Sequence, residues 1–179
     1  MTDEPLLKTD RFELRRPTVT DLDSLCALVE DEETRRFLGP DRSGRQAQFE
    51  RLLRVAGSWS LYGYGALLVR PAGSNEVIGS CGIFHSWRGF GPELGMDDVA
   101  EAGWIIRRDW WGKGVASEVM AAVMAWFDTT HPGKRVACMI EEGNVASQRV
   151  AARLGFERYA SHVPEEDDPP TLILLERIQ

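Results

Sequence analysis

The chain predicts a mixed α/β (α+β) fold: one domain with a central, mostly antiparallel sheet flanked by helices. Three observations carry this. Apolar spacing alternates between the two-residue period of strands and the 3.6-residue period of helices along all 179 residues, in the order β-α-α-β-β-β-α-β-α-β-β. The middle of the chain holds two strand patterns joined by "AGSN", which is turn chemistry and predicts a hairpin. Next come a strand, a long helix and another strand, a unit that sets its strands parallel. No repeat or linker interrupts the chain, so 1–179 reads as a single domain, with residues 1–10 expected to be a flexible N-terminal segment.

The elements follow in order. "RFELRR" alternates, with Phe12 and Leu14 on one face, and predicts a short strand. Thr20 and Asp23 have capping-box spacing, and Leu22, Leu25 and Val29 recur with helical period, so a helix starts near Asp21. After "GPDRSG", Ser43 and Gln46 repeat the capping pattern. Phe49, Leu52, Leu53 and Ala56 then supply an apolar stripe, predicting a helix from Gly44 to Ala56. "YGALLVRP" and "EVIGSCGIFHS" are the hairpin strands. "WRGFGPELGMDDVA" is glycine-rich and irregular, a long loop of the kind that often carries function. "EAGWIIRR" is a strand. In "GVASEVMAAVMAWFDTT", Val115, Val119, Val123 and Phe127 repeat every four residues, and His131-Pro132-Gly133 ends the helix. "KRVACMI" is a strand. "NVASQRVAARLGF" is a helix capped by Asn144, with Val150 and Leu154 toward the core and Gly155 at C′. "ERYASHV" and "TLILLERI" are the last strands, separated by the acidic loop "PEEDDPP".

Composition narrows the function classes. A formal net charge of −7 argues against a nucleic-acid partner and is compatible with cationic ones. No apolar run approaches the roughly 20 residues that cross a bilayer, and the N-terminus lacks a signal-peptide pattern; a cytoplasmic protein without a membrane role is the expectation. Cys26, Cys81 and Cys138 have no paired metal-ligand spacing and read as buried thiols, with no metal expected.

The chemistry concentrates in "RRDWWGKGVASEVM", residues 107–120. Gly112 and Gly114 lie where a strand turns into a helix. The first turn of a helix leaves N–H groups unpaired and is the positive end of its dipole. Glycines there let an anion approach the backbone, and Arg107, Arg108 and Lys113 add positive charge to an otherwise acidic chain. The spacing excludes a Walker A loop, because Lys113 precedes Gly114 and the upstream glycine is missing. It also excludes a dinucleotide fingerprint, because Ser117 stands where the third glycine belongs.

"EAGWIIRRDWWGKGVASEVMAAVMAWF", followed by "EEGNVASQRVAARLGF", resembles the acyl-CoA-binding core of the GNAT family of N-acetyltransferases, and within it the branch that acetylates ribosomal-protein alanine and serine N-termini. Gly112, Lys113 and Gly114 match the second half of that family's [QR]-x-x-G-x-[GA] pattern, and Asn144, Ser147, Leu154, Gly155 and Phe156 match its "N-x-x-S…L-G-F" pattern. Asp109 departs, standing where Gln or Arg is usual. The resemblance implies an acetyl-CoA-dependent N-acetyltransferase acting on a primary-amine acceptor, with a homodimer as a family-level expectation. It implies a pyrophosphate on the N–H groups of Gly112, Lys113, Gly114, Val115 and Ala116, with Trp111 closing the turn. The pantetheine arm would run along Ile105, Ile106 and Arg107, in a slot where this strand splays from "RVACMI". Asn144 and Ser147 would lie near the thioester, and an N–H near Ile105 would receive the oxyanion. Arg107, Arg108 and Arg149 remain alternatives for the nucleotide phosphates.

The reaction demands a neutral amine and a stabilised leaving thiolate. Ser147 is the candidate for the thiolate, since a hydroxyl can donate a hydrogen bond to it. Glu101 is the candidate base, with Glu93, Asp97, Asp98 and His85 as rivals. Trp59, Tyr62, Trp87 and Phe90 fall where the family builds its acceptor pocket; Trp59 reads as packing and Trp87 as groove.

Overall fold

A computed structural model describes residues 4–39, 44–165 and 169–178 of the chain. Among these, β1 (Leu7–Lys8) and β2 (Phe12–Arg15) lead into α1 (Leu22–Leu28), α2 (Glu32–Arg35) and α3 (Arg45–Tyr62). The hairpin β3 (Ala66–Pro71) and β4 (Gly79–Ser86) follows, then β5 (Val99–Ile106), α4 (Val115–Thr130), β6 (Val136–Glu141), α5 (Val145–Arg153), β7 (Glu157–His162) and β8 (Leu172–Arg177). The strands form one sheet in the order β1-β2-β3-β4-β5-β6-β8-β7. Every neighbouring pair is antiparallel except β5 and β6. The strand–helix–strand unit read from the sequence is therefore β5-α4-β6.

The core is split by the sheet. On one face, Val115, Val119, Val123 and Phe127 of α4, all buried, meet Leu67 and Val69 of β3, Cys81 and Ile83 of β4 and Ala100 and Ala102 of β5. Burying a side chain of this size contributes about 1.5–3 kcal/mol, so packing rather than propensity holds α4 in place. On the other face, Leu25 of α1 and Leu52 of α3 cover Leu68 and Val77.

Several expectations change. Leu7 and Lys8 pair with Leu14 and Glu13, so this part of the N-terminal segment enters the sheet. The capping contact near α1 is two residues earlier: the Thr18 N–H donates to Asp21 Oδ2 at 2.7 Å, while Asp23 is exposed and pairs with Arg45. A 3-10 turn over Val19–Asp21 precedes α1 and moves the cap. The short α2 carries too little apolar pattern to stand out in the sequence. Helix α3 continues to Tyr62, because Gly63 (φ 77°) supplies its left-handed stop and the Trp59 indole donates to Ala66 O at 3.0 Å. Its Phe49 and Leu53 are exposed and only Leu52 of the predicted stripe is buried. Ser43 lies outside the described residues, as do three acids of the "PEEDDPP" loop, 166–168. In α5 the fully buried residue is Ala151, with Val150 and Leu154 half-buried. Gly155 takes the expected left-handed conformation at φ 83°. Cys81 and Cys138 are buried free thiols and Cys26 is half-buried.

Candidate active site

The parallel ladder between β5 and β6 is short. Ala100, Glu101 and Ala102 pair with Val136, Ala137 and Cys138, and there the pairing stops. Strand β5 continues to Ile106 against β4, and β6 continues to Glu141 against β8. The two strands diverge beyond Ala102 and leave a slot between Gly103–Ile106 and Met139–Glu141. Alternation in the β4–β5 ladder decides which groups face it. The Arg107 N–H donates to Ile78 O at 2.9 Å, so the backbone groups of Ile105 and Gly103 also point toward β4. Those of Trp104 and Ile106 point into the slot. The N–H groups near Ile105 that are open to the slot are therefore those of Trp104 and Ile106.

At the mouth of the slot the chain turns into α4. Gly112 and Gly114 adopt φ 71° and 73°, a conformation that costs other residues about 1–2 kcal/mol. A side chain at Gly112 would meet no atom within 4 Å, so backbone conformation rather than crowding explains the glycine. The first intrahelical bond runs from the Glu118 N–H to Gly114 O at 3.1 Å, and the amides of the preceding first turn lack an intrahelical acceptor. From the N-terminal hairpin, Arg11 donates to Lys113 O (3.0 Å) and to Glu118 (2.7 Å), fixing the turn against β2. The tryptophans take separate tasks. Trp110 packs edge-on against Phe12 at 6.0 Å, with the Lys113 ammonium 5.0 Å from its ring centre. The Trp111 indole donates to Ile106 O at 2.6 Å, occupying a carbonyl that otherwise faces the open slot.

Across the slot, Asn144 caps α5 by accepting the Ser147 N–H at 3.1 Å. The Trp104 indole N–H reaches from β5 to Ser147 Oγ at 3.2 Å. On the opposite face of the sheet, Glu101 is 3% exposed and bound to Arg88 through both oxygens, one of these contacts being to Arg88 Nε at 2.8 Å. Phe84 is its cross-strand partner, and a side chain at Gly103 would come within 3.0 Å of the Phe84 ring.

A family model described as an acetyltransferase (GNAT) domain matches residues 11–157. The chain belongs to the GNAT acetyltransferase family. It is similar to a Bordetella pertussis protein assigned to the same family, 33% identical, with a TM-score of 0.83 over 96% of this chain and 98% of that one. It is 27% identical to the uncharacterized N-acetyltransferase p20 of Bacillus licheniformis over 85% of this chain and 82% of the relative. A ribosomal L7/L12 α-N-protein acetyltransferase solved with coenzyme A shares the fold at 22% identity, with a TM-score of 0.73 over 98% of each chain. Membership makes the chain an acyltransferase. Among the described residues, no helix is long and apolar enough to cross a membrane.

In this GNAT chain some expected site residues are committed elsewhere. Arg107 is held by Asp109 through two 2.7 Å bonds and by Glu76 at 2.8 Å. These partners, Asp109 first, push its pKa up, and Arg107 in turn holds Asp109 below the usual carboxylate range. Asp109, the departure from the family pattern, is thus the neutralising partner of Arg107, and much of the positive charge read at this corner is cancelled. Arg108 and Lys113 stay exposed beside the turn, and Arg149 is exposed on α5.

The rivals to Glu101 separate. Asp97 ties down the long loop by accepting the N–H groups of Gly89 (2.6 Å) and Gly91 (3.2 Å). Glu93 is exposed. His85 lies on the α4 face of the sheet. Its Nδ1 meets the Tyr64 hydroxyl and its Nε2 meets Asp98, each at 2.9 Å, and the Tyr62 ring stacks on it at 3.6 Å. Burial, aided by the nearby Tyr62 and Asp98, pushes the Tyr64 phenol up to about 12. Trp59 is packing, as expected. Trp87 is 72% exposed, while Phe90 stacks on His162 at 4.0 Å. Sequence reasoning missed Arg88, Glu76 and Trp104. Only Trp104 had a local signal, since it alternates with Gly103 and Ile105 in a strand already assigned to the slot.

Proposed function

We propose that this chain transfers the acetyl group of acetyl-CoA to a primary amine by direct attack in a ternary complex, and that the acceptor is a protein N-terminal α-amine. The observation that carries the acyl-CoA part is the divergence of β5 and β6 after Ala102 beside the Gly112–Gly114 turn. These features fit the cofactor's parts: an open strand edge for an amide-bearing arm, and free helix-start amides for phosphates. Gly112, Lys113, Gly114, Val115 and Ala116 would hold the pyrophosphate. Ile105, Ile106 and Arg107 would flank the arm, with Trp104 the open backbone partner because Trp111 occupies the Ile106 carbonyl. Acetyl-CoA supplies an activated thioester.

The amine lone pair forms the new C–N bond to the thioester carbonyl, and the C–S bond breaks. The amine's proton passes to Glu101, directly or through water, and the thiolate leaves beside Ser147, whose hydroxyl donates to it. The Arg88 contacts leave each Glu101 oxygen a second lone pair for a proton or a water. An α-amine with pKa ~8 is already about 10% neutral at pH 7, whereas a lysine amine at ~10.4 is about 0.04% neutral. The α-amine therefore reaches its nucleophilic form with the least help from a base.

Thiol release measured against peptides with free N-termini, lysine peptides with acetylated N-termini, and small amines tests the reading. The free N-termini are expected to turn over fastest. Release with small amines alone would reassign the acceptor, and acetyl-CoA binding without release from any amine would make the chain a non-catalytic acyl-CoA module.

A further inference from the structure

The contact between Trp104 and Ser147 does more than pack two elements together. Trp104 stands two positions past the last β5–β6 pair, on the α4 face of the sheet, and its indole crosses to the first turn of α5. It therefore spans the slot on the α4 side, where the two strands no longer close it. An indole N–H can only donate, so in the 3.2 Å contact Ser147 Oγ must be the acceptor. The serine backbone N–H is taken by Asn144 Oδ1 at 3.1 Å, which fixes Ser147 at the N3 position of the helix. With its backbone held by the cap and one lone pair held by the indole, the hydroxyl keeps its single proton for a group inside the slot.

We propose that Trp104 is a positioning residue for acyl transfer: its indole N–H holds the Ser147 hydroxyl as an acceptor and so leaves the hydroxyl proton directed at the departing sulfur. The ring also covers the slot on the face away from Glu101, so that the amine and the leaving thiolate are served from opposite sides of the sheet. This rests on the acyl-transfer reading given above. It extends that reading by assigning Ser147's orientation to a residue that contacts neither the amine nor the proton it loses.

The test is a double-mutant cycle on the full chain, with thiol release, acetyl-CoA binding by calorimetry and thermal melting measured for wild type, Trp104→Phe, Ser147→Ala and the double variant. Phenylalanine keeps an aromatic ring but lacks the donor. One neutral hydrogen bond corresponds to about a 2- to 13-fold change, so kcat for Trp104→Phe is expected to fall by about that factor while KM for acetyl-CoA changes less than about 2-fold. Ser147→Ala is expected to fall further. Adding Trp104→Phe to it should then cost nothing more, because the hydroxyl being oriented is gone. Losses that multiply in the double variant, or a Trp104→Phe enzyme at full rate, overturn the positioning role. An unaffected Ser147→Ala enzyme overturns the serine assignment and this inference with it, while leaving acyl transfer intact. No thiol release by wild type overturns both readings. Should Trp104→Phe fail to fold, Trp104→His carries the test, since it keeps a ring N–H: kcat within about 2-fold of wild type is expected, and a loss equal to that of Ser147→Ala overturns the role.

Discussion

Replacing Gly114 separates backbone conformation from charge at the proposed phosphate site. Its φ of 73° is left-handed, so Gly114→Ala should cost about 1–2 kcal/mol of stability. For a chain of this length, each kcal/mol shifts Tm by about 2–4 °C, giving a drop of roughly 2–8 °C. Gly114→Asp carries the same strain and adds a negative charge at the helix start. A unit charge about 5 Å from a phosphate oxygen repels it by about 0.8 kcal/mol in water and about 3 kcal/mol at an effective dielectric of 20. Two features favour the low end. The turn is exposed, and a Cβ at position 114 would lie 3.8 Å from Arg11 Nη2, which can partly neutralise the new carboxylate. Acetyl-CoA binding by Gly114→Asp should therefore be about 4- to 30-fold weaker than by Gly114→Ala. Calorimetric titration measures the ratio, and added salt should narrow it, since the screening length at 0.1 M is about 10 Å. Equal affinities in the two variants would refute phosphate binding at this turn.

Three further predictions concern charge. Glu101→Gln should lower kcat by about 100-fold or more at neutral pH, with part of the loss recovered at high pH where the amine is already neutral; a full rate at neutral pH would remove Glu101 as the proton acceptor. Asp109→Asn should leave Arg107 paired with Glu76 alone and remove one negative charge beside the turn, so acetyl-CoA should bind a few-fold tighter in calorimetry, while Tm moves little because the carboxylate is exposed. Burial first, then the charge of Lys134, lowers the pKa of His131, whose ring stacks on Phe127. The unfolded chain therefore takes up this proton first as pH falls through about 6.5, and stability should decline from there toward the lower folded value. His131→Gln should flatten that part of the stability-versus-pH curve in denaturant titrations.

What the amino-acid sequence determined by itself is local or periodic. The four-residue spacing of Val115, Val119, Val123 and Phe127 states which face of α4 is buried, because one helix turn is nearly four residues. Gly112, Gly114 and Gly155 announce left-handed backbone, and Asn144 announces a helix start, because each is the residue type best suited to that conformation or cap. Those features carried the fold class and the glycine turn ahead of α4. The pairing of Leu7 and Lys8 with Leu14 and Glu13, and the end of α3 at Gly63, are local too, but apolar period does not mark them.

Only the tertiary structure decided what the charged and aromatic side chains do. Arg107 looked like a phosphate ligand until Asp109 and Glu76 were found on its guanidinium. Glu101 looked free until Arg88, from a loop 13 residues earlier, closed on it. The slot itself is a register effect: β5 and β6 share three residue pairs and then part, and no single strand encodes where its neighbour leaves. A side chain's charge is written in its identity, but its availability depends on which partner reaches it first, and that is settled when the sheet assembles.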